Sequence, residues 1–385
     1  GSPLVLGEGA QGYYLASDVP AFLDYTRIVN YLDDEQYVKV SRDESVIREL
    51  RTRKFVKPDR KEILWERESA TKEGYAHYML KEIMEQPSAL DRAIRQDDEE
   101  LLAIAHLLKT HRTFFIGCGT AAKVAKIGEL WMATMAHRLA TTFVGSESAP
   151  YAGFVDKKSV LLAVSQSGET ADVLQAIRAA GQSGATIVSL LNVVGSTIDR
   201  ESDLRLFINV GPEKAVASTK AATAQMAVLY LLIAATAGEL PEAKHLLRKG
   251  VKEIKAWLTR DVVREIEGIA KRIVAEEDLF IIGRGTHAAL ALEAGIKIQE
   301  VSYVHAEGFP GGELKHGPIA LIRKGTPCIA FIPNDETKAK MESNTTELKA
   351  RGAYIIGIAP SPSDLFDEWI KVPDLGPIAP IVDII

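Results

Sequence analysis

One phrase occurs twice in this chain, and it restricts the fold more than any other feature. Thr113–Thr120 reads TFFIGCGT and Leu279–Thr286 reads LFIIGRGT, offset by 166 positions (Thr120 to Thr286). Each is an apolar run ending in Gly-x-Gly-Thr that opens a helical pattern, so one strand–turn–helix unit is present in two copies. A second pair follows in register. KKSVLLAVSQSGETADVLQAIRAAGQSGATIVSLLN (Lys157–Asn192) is echoed by KGTPCIAFIPNDETKAKMESNTTELKARGAYIIGIAP (Lys324–Pro360), and both read strand, polar loop, helix, Gly turn, strand. Strands alternating with helices call for parallel α/β sheets, and two copies call for two tandem lobes. The expected boundaries are 96–245 and 265–385, joined by a helical segment around Leu246–Glu267.

What precedes the repeat reads differently. Residues 1–53 carry short alternating runs (PLVLG, GYYLAS, RIVNYL, QYVKVS) broken by Gly, Asp and Pro, a strand pattern. Residues 54–95 read as a charged connector, to about Glu73, that then turns helical. The 385 residues fit two or three domains. Lys plus Arg number 46 against 52 Asp plus Glu, a net charge of −6 without the basic stripe that a phosphate backbone requires, so nucleic acid is excluded as the main partner. Cys118 and Cys328 lie far apart, outside disulfide or zinc spacing, which suits a reducing cytoplasm. The longest apolar run, Met226–Ala237, has 12 residues, fewer than a bilayer span needs, and reads as a buried helix or an interface. No membrane role is expected.

Four loops can carry chemistry. Gly117-Cys-Gly119-Thr120 joins a strand end to a helix start, where free N–H groups favour an anion, although a plain tight turn fits equally; the match to a dinucleotide fingerprint is weak. Ser165-Gln166-Ser167-Gly-Glu-Thr170 sets three hydroxyls and an amide at a helix N-terminus, more than capping requires, and points to a metal-free phosphate site. Val216-Ala-Ser-Thr-Lys220 is explained by capping through Ser218 and Thr219. Lys297 and Glu300 share one helical face, either as a solvated ion pair or as an ammonium and a carboxylate acting on one small substrate. Downstream, His316 lies between Gly and Pro residues on a loop of set shape, suited to proton exchange. His305 and His316 lack zinc spacing.

Together, GCGT, SQSGETADVLQAIR, NVVGSTIDRESDL, VASTKAATAQ and ALEAGIKIQEVSYVHAE with GELKHGPIALI resemble the isomerase half of the glutamine–fructose-6-phosphate aminotransferase family. The resemblance implies two tandem sugar isomerase (SIS) lobes of flavodoxin-like, parallel-sheet α/β fold, with residues 1–53 as the carboxyl-terminal remnant of an amino-terminal glutaminase domain. It also implies conversion of fructose 6-phosphate and glutamine to glucosamine 6-phosphate without a cofactor or metal. Thr120, Ser165, Gln166, Ser167 and Thr170 would hold the phosphate, and the backbone near Val216 would touch the sugar. Glu300 would move the proton between C1 and C2 with Lys297 beside it, while His316, supplied by the second subunit of a homodimer, would help open the ring. The Met226–Ala237 helix is the expected place for subunits to pack. Ala121 replaces a Ser common in the family. A chain running from Gly1 to Ile385 lacks the family's amino-terminal cysteine nucleophile and its carboxyl-terminal Schiff-base lysine, so it is expected to be an incomplete copy. The alternatives are a stand-alone SIS isomerase or deglycase and a sugar-phosphate sensor.

Overall fold

A computed structural model describes residues 4–16, 21–33, 35–42, 44–63 and 72–385. The chain divides into two compact units, Gly1–Tyr78 and Met79–Ile385.

The first unit is β-rich. Strands Gly12–Ala16, Leu4–Gly9, Ile28–Leu32 and Lys61–Glu62 form one antiparallel sheet, and Gln36–Val40, Ser45–Glu49 and Phe55–Val56 form another. Alternation puts Val5 and Val29 into one small core with Phe22, Leu23 and Ile63, and Leu6, Leu32 and Ile47 into a second. The four strand runs read in the sequence are all strands; the 64–71 part of the connector lies outside the described residues.

In the second unit the repeat becomes two five-stranded parallel sheets. Counting strands within each sheet in chain order, Arg112–Gly117, Ala140–Val144, Ser159–Val164, Thr186–Leu191 and Leu204–Phe207 lie in the order 2-1-3-4-5. Asp278–Gly283, His305–Pro310, Pro327–Phe331, Tyr354–Ala359 and Glu368–Lys371 repeat that order. This is the flavodoxin-like order, whose ligand crevice opens where strand order reverses, beyond the carboxyl ends of strands one and three. The two turns match in backbone as well as in sequence. Gly119 sits at φ 55°, ψ −127° and Gly285 at φ 56°, ψ −130°, a conformation that glycine reaches without strain.

The apolar run near the end of the first lobe belongs to the helix Lys220–Ala237, 94% of which is buried. It packs against helices Gln86–Ala93, Asp98–Thr110, Thr120–Thr134 and Leu240–Trp257. Close approach needs Gly128, where a Cβ would lie 2.4 Å from Leu229 Cδ2; nearby, Trp131 meets Tyr230 edge-on at 5.2 Å. This corrects the expectation that the helix offers a surface to a second subunit, because the lobe's own helices already cover it. One continuous core joins Leu162, Ile127 and Leu229 of the first lobe to Ile281, Leu290 and Ile381 of the second.

Candidate active site

Adjacent parallel strands Arg112–Gly117 and Ser159–Val164 end at the switch point of the first sheet, so GCGT and SQSGET emerge side by side. The SQSGET loop folds on itself. Ser165 Oγ accepts from Gly168 N at 3.0 Å and lies 3.4 Å from Thr170 Oγ1, and Ser167 Oγ accepts from Glu169 N at 3.2 Å. Ser165 is buried, whereas Gln166, Ser167 and Thr170 are partly open. Thr170 is the N-cap residue of the helix Ala171–Gln182, yet its side chain makes no capping bond, so plain capping does not explain the hydroxyl. The NVVGSTI segment braces the loop: Thr197 N donates to Glu169 Oε1 at 2.8 Å and Ile198 N to Gly168 O at 2.9 Å.

Thr120 opens the helix Thr120–Thr134 and faces the second lobe. Its hydroxyl donates to Glu293 Oε1 at 2.7 Å and accepts from Lys297 Nζ at 2.9 Å. Lys297 also donates to Glu300 Oε2 at 2.8 Å and lies 3.5 Å from Glu293 Oε1. Glu293, Lys297 and Glu300 stand at i, i+4 and i+7 on one face of the helix Thr286–Ser302, which packs against Thr120–Thr134. Glu293 is fully buried, the Lys297 side chain is 14% exposed and that of Glu300 is 36% exposed, so the cluster runs from core to surface. Burial pushes the Glu293 carboxyl above the usual carboxylate range, opposed by the charge of Lys297 and by the bond from Thr120.

The Val216 turn is organised by two carboxylates that the sequence reading missed. Glu213 Oε1 accepts from Thr219 N, Thr219 Oγ1 and Ala221 N at 2.8, 3.1 and 3.1 Å, and Glu213 Oε2 accepts from Ser218 Oγ at 2.9 Å. Glu213 therefore satisfies the start of the Lys220–Ala237 helix, and Thr219 makes no side-chain cap, contrary to the capping expected of Ser218 and Thr219. From below, Glu82 accepts from Lys214 N at 2.6 Å and Ala215 N at 3.1 Å. The turn is held on both sides while Val216 itself is 88% exposed.

Of the predicted residues, Thr120, Lys297 and Glu300 form one hydrogen-bonded group, and Ser165, Ser167 and Thr170 lie together in the neighbouring loop. His316 is exposed at the end of the Gly311–His316 turn, and no described hydrogen bond joins it or Val216 to either group. His305 Nδ1 pairs with Asp278 Oδ1 at 2.8 Å at the surface. Among the described residues no group of three or more His, Cys, Asp and Glu is placed to hold a metal. Glu293 was the chief omission; its spacing of four before Lys297 was the available signal, masked by the apolar run around it.

Comparison with known proteins agrees with this fold. The SIS-domain family profile matches residues 106–235 and 272–366. Glutamine–fructose-6-phosphate aminotransferase [isomerizing] of Thermococcus kodakarensis is 38% identical over 397 residues, covering 100% of this chain and 66% of that protein. Its counterpart from Pyrococcus horikoshii is 39% identical over 404 residues, covering 99% of this chain and 65% of that protein. This chain thus spans about two thirds of the length of these curated relatives. Among solved structures, the C-terminal domain of glucosamine-fructose-6-phosphate aminotransferase from Francisella tularensis superposes with a TM-score of 0.72 at 32% identity, covering 81% of this chain and 93% of that one. Tagatose-6-phosphate ketose/aldose isomerase from Escherichia coli shares the fold, with a TM-score of 0.67 at 17% identity over 80% of this chain and 92% of that one. The chain belongs to the SIS-domain family, and within it to the sequences that form the carboxyl-terminal part of glutamine–fructose-6-phosphate aminotransferases.

Proposed function

We propose that this chain is the sugar-isomerising part of an enzyme that makes glucosamine 6-phosphate from fructose 6-phosphate and glutamine. The observation that carries the reading is the meeting of first-lobe Thr120 with Lys297 and Glu300 of the second lobe, beside the SQSGET loop. Ser165, Gln166, Ser167 and Thr170 bind the phosphate with neutral donors at a helix N-terminus. Thr120, engaged by Glu293 and Lys297, serves the reacting end of the sugar rather than the phosphate, which modifies the role expected of it. The backbone at Val216 borders the sugar. Ammonia released from glutamine condenses with the C2 ketone and expels water; Glu300 then takes a proton from C1 while the imine nitrogen gains the electron pair and a proton from Lys297, and the carboxyl returns its proton to C2 as the C1 hydroxyl gives its own back to Lys297 and becomes the aldehyde. His316, exposed and unengaged by its own protomer's cluster, acts from a neighbouring copy in a cytoplasmic homodimer that needs no metal or cofactor.

The test is glucosamine 6-phosphate formation by the full-length protein, alongside calorimetric titration with fructose 6-phosphate. Glu300→Gln is expected to lower turnover by about 10²–10⁴-fold and to leave sugar-phosphate affinity within about threefold. Ser167→Ala should weaken binding by about tenfold, the cost of one hydrogen bond to a charged group. Full turnover in Glu300→Gln would sink the assignment, and binding without turnover in the wild type would indicate a sensor.

A further inference from the structure

An ammonium has three N–H donors, and around Lys297 three acceptors stand ready: Thr120 Oγ1 at 2.9 Å, Glu300 Oε2 at 2.8 Å and Glu293 Oε1 at 3.5 Å. Two of them form a rigid mount. Glu293 is fully buried, and by accepting the Thr120 hydroxyl proton it turns an oxygen lone pair of Thr120 toward Lys297. The third acceptor, Glu300, is the exposed one. We infer that Glu293 is a positioning residue: with Thr120 it holds the Lys297 ammonium in place, so that Glu300 can leave its ion pair and act on the substrate without Lys297 following it. This inference rests on the reading of Lys297 and Glu300 given above.

The arrangement has the features of a device built for this purpose. A carboxyl with no exposure is costly unless fully paired, yet among the described residues Glu293 Oε2 has no hydrogen-bond partner. A core position chosen for packing alone would be apolar, as it is in the first lobe, where 166 positions earlier Ile127 stands in place of Glu293 and Trp131 in place of Lys297. At these two positions, polar residues therefore occur in one copy of the repeat only. The charged groups bearing on Glu293 are Lys297 from its own helix and Lys123 from the Thr120–Thr134 helix packed against it.

Two measurements on the full-length protein test the inference. Glu293→Gln keeps the shape and the Thr120 contact but removes the charge. It is expected to lower kcat at least about tenfold, within the cost of a small misplacement of a reacting group, and to leave KM for fructose 6-phosphate within about twofold. Trace acetylation at pH 8, read by mass spectrometry relative to exposed lysines, is expected to label Lys297 at least about threefold faster in the variant, because an amine that has lost a charged acceptor turns outward more readily. Thr120→Val, which breaks the mount from the other lobe, should raise the labelling in the same way if Glu293→Gln folds poorly. Unchanged labelling of Lys297 in both variants, or an unchanged kcat in Glu293→Gln, overturns the inference. If the wild type makes no glucosamine 6-phosphate, the functional reading fails on its own, and the labelling still decides whether Glu293 and Thr120 hold Lys297.

Discussion

Gly168 shows how much one position in the SQSGET loop decides. Its φ is +68°, and a Cβ there would lie 2.0 Å from the Oγ of buried Ser196. Gly168→Ala therefore combines left-handed backbone strain with a clash, and is expected to cost about 2 kcal/mol or more in denaturant unfolding. Gly181→Ala is the control: Gly181 is helical, with open space where its Cβ would be, and the change should stabilise by about 0.5–1 kcal/mol. Equal effects at the two sites would refute the strain argument. At this scale the sequence was informative wherever chemistry sits in consecutive residues. SQSGET could be read because its donors are neighbours in the chain, and Lys297 with Glu300 because helical spacing is local. Glu82 could not, since its partners Lys214 and Ala215 lie more than a hundred positions away and nothing near Glu82 marks the contact.

Among the elements, the helix Tyr78–Met84 and the short segment after it do more than connect. Glu85 Oε2 lies 2.6 Å from Lys220 Nζ and Glu85 Oε1 lies 3.3 Å from Lys81 Nζ, and both lysines are almost fully buried. Thr223 Oγ1 donates to Gln86 Oε1 at 2.8 Å, so this segment clamps the start of the Lys220–Ala237 helix just below the Val216 turn. Removing a shared carboxylate from two buried ammonium groups is expensive. Glu85→Ala is expected to lower stability by about 3–5 kcal/mol, and adding Lys220→Met should recover part of that, because an apolar side chain needs no counter-charge. A loss below about 1 kcal/mol in thermal unfolding would show that the pair is dispensable. Apolar content alone marked Met226–Ala237 as either core or interface; the choice fell to core because helices distant in sequence surround the Lys220–Ala237 helix that contains it.

In the molecule as a whole, residues 79–385 behave as one packed body whose largest core draws on both lobes. Leu290→Ala in the second lobe is expected to cost about 2–5 kcal/mol. If the shared core makes unfolding cooperative, hydrogen exchange of the Lys220–Ala237 helix in the first lobe should lose protection by the same amount. Protection retained there would mean that the lobes open independently. The two lobes also differ in the matching loop. Where the first has SQSGET, the second has Asp335, whose Oδ1 accepts from Thr337 N at 2.8 Å and Thr337 Oγ1 at 2.6 Å, so a carboxylate is bonded within the loop itself. Buried His287, next to Thr286, pairs at 2.8 Å with buried Asp383 of the helix Ala379–Asp383, whose carboxyl burial pushes above its ordinary range. Periodicity, the duplicated Gly-x-Gly-Thr and the polar loops were enough to specify two parallel α/β lobes and to mark the candidate loops, because strand, turn and helix signals are written in adjacent residues. Tertiary structure alone decided that the first-lobe Thr120 and the second-lobe Glu293, Lys297 and Glu300 make one site, since hydrogen bonds across more than 170 positions depend on how two helices pack and leave no local trace in the chain.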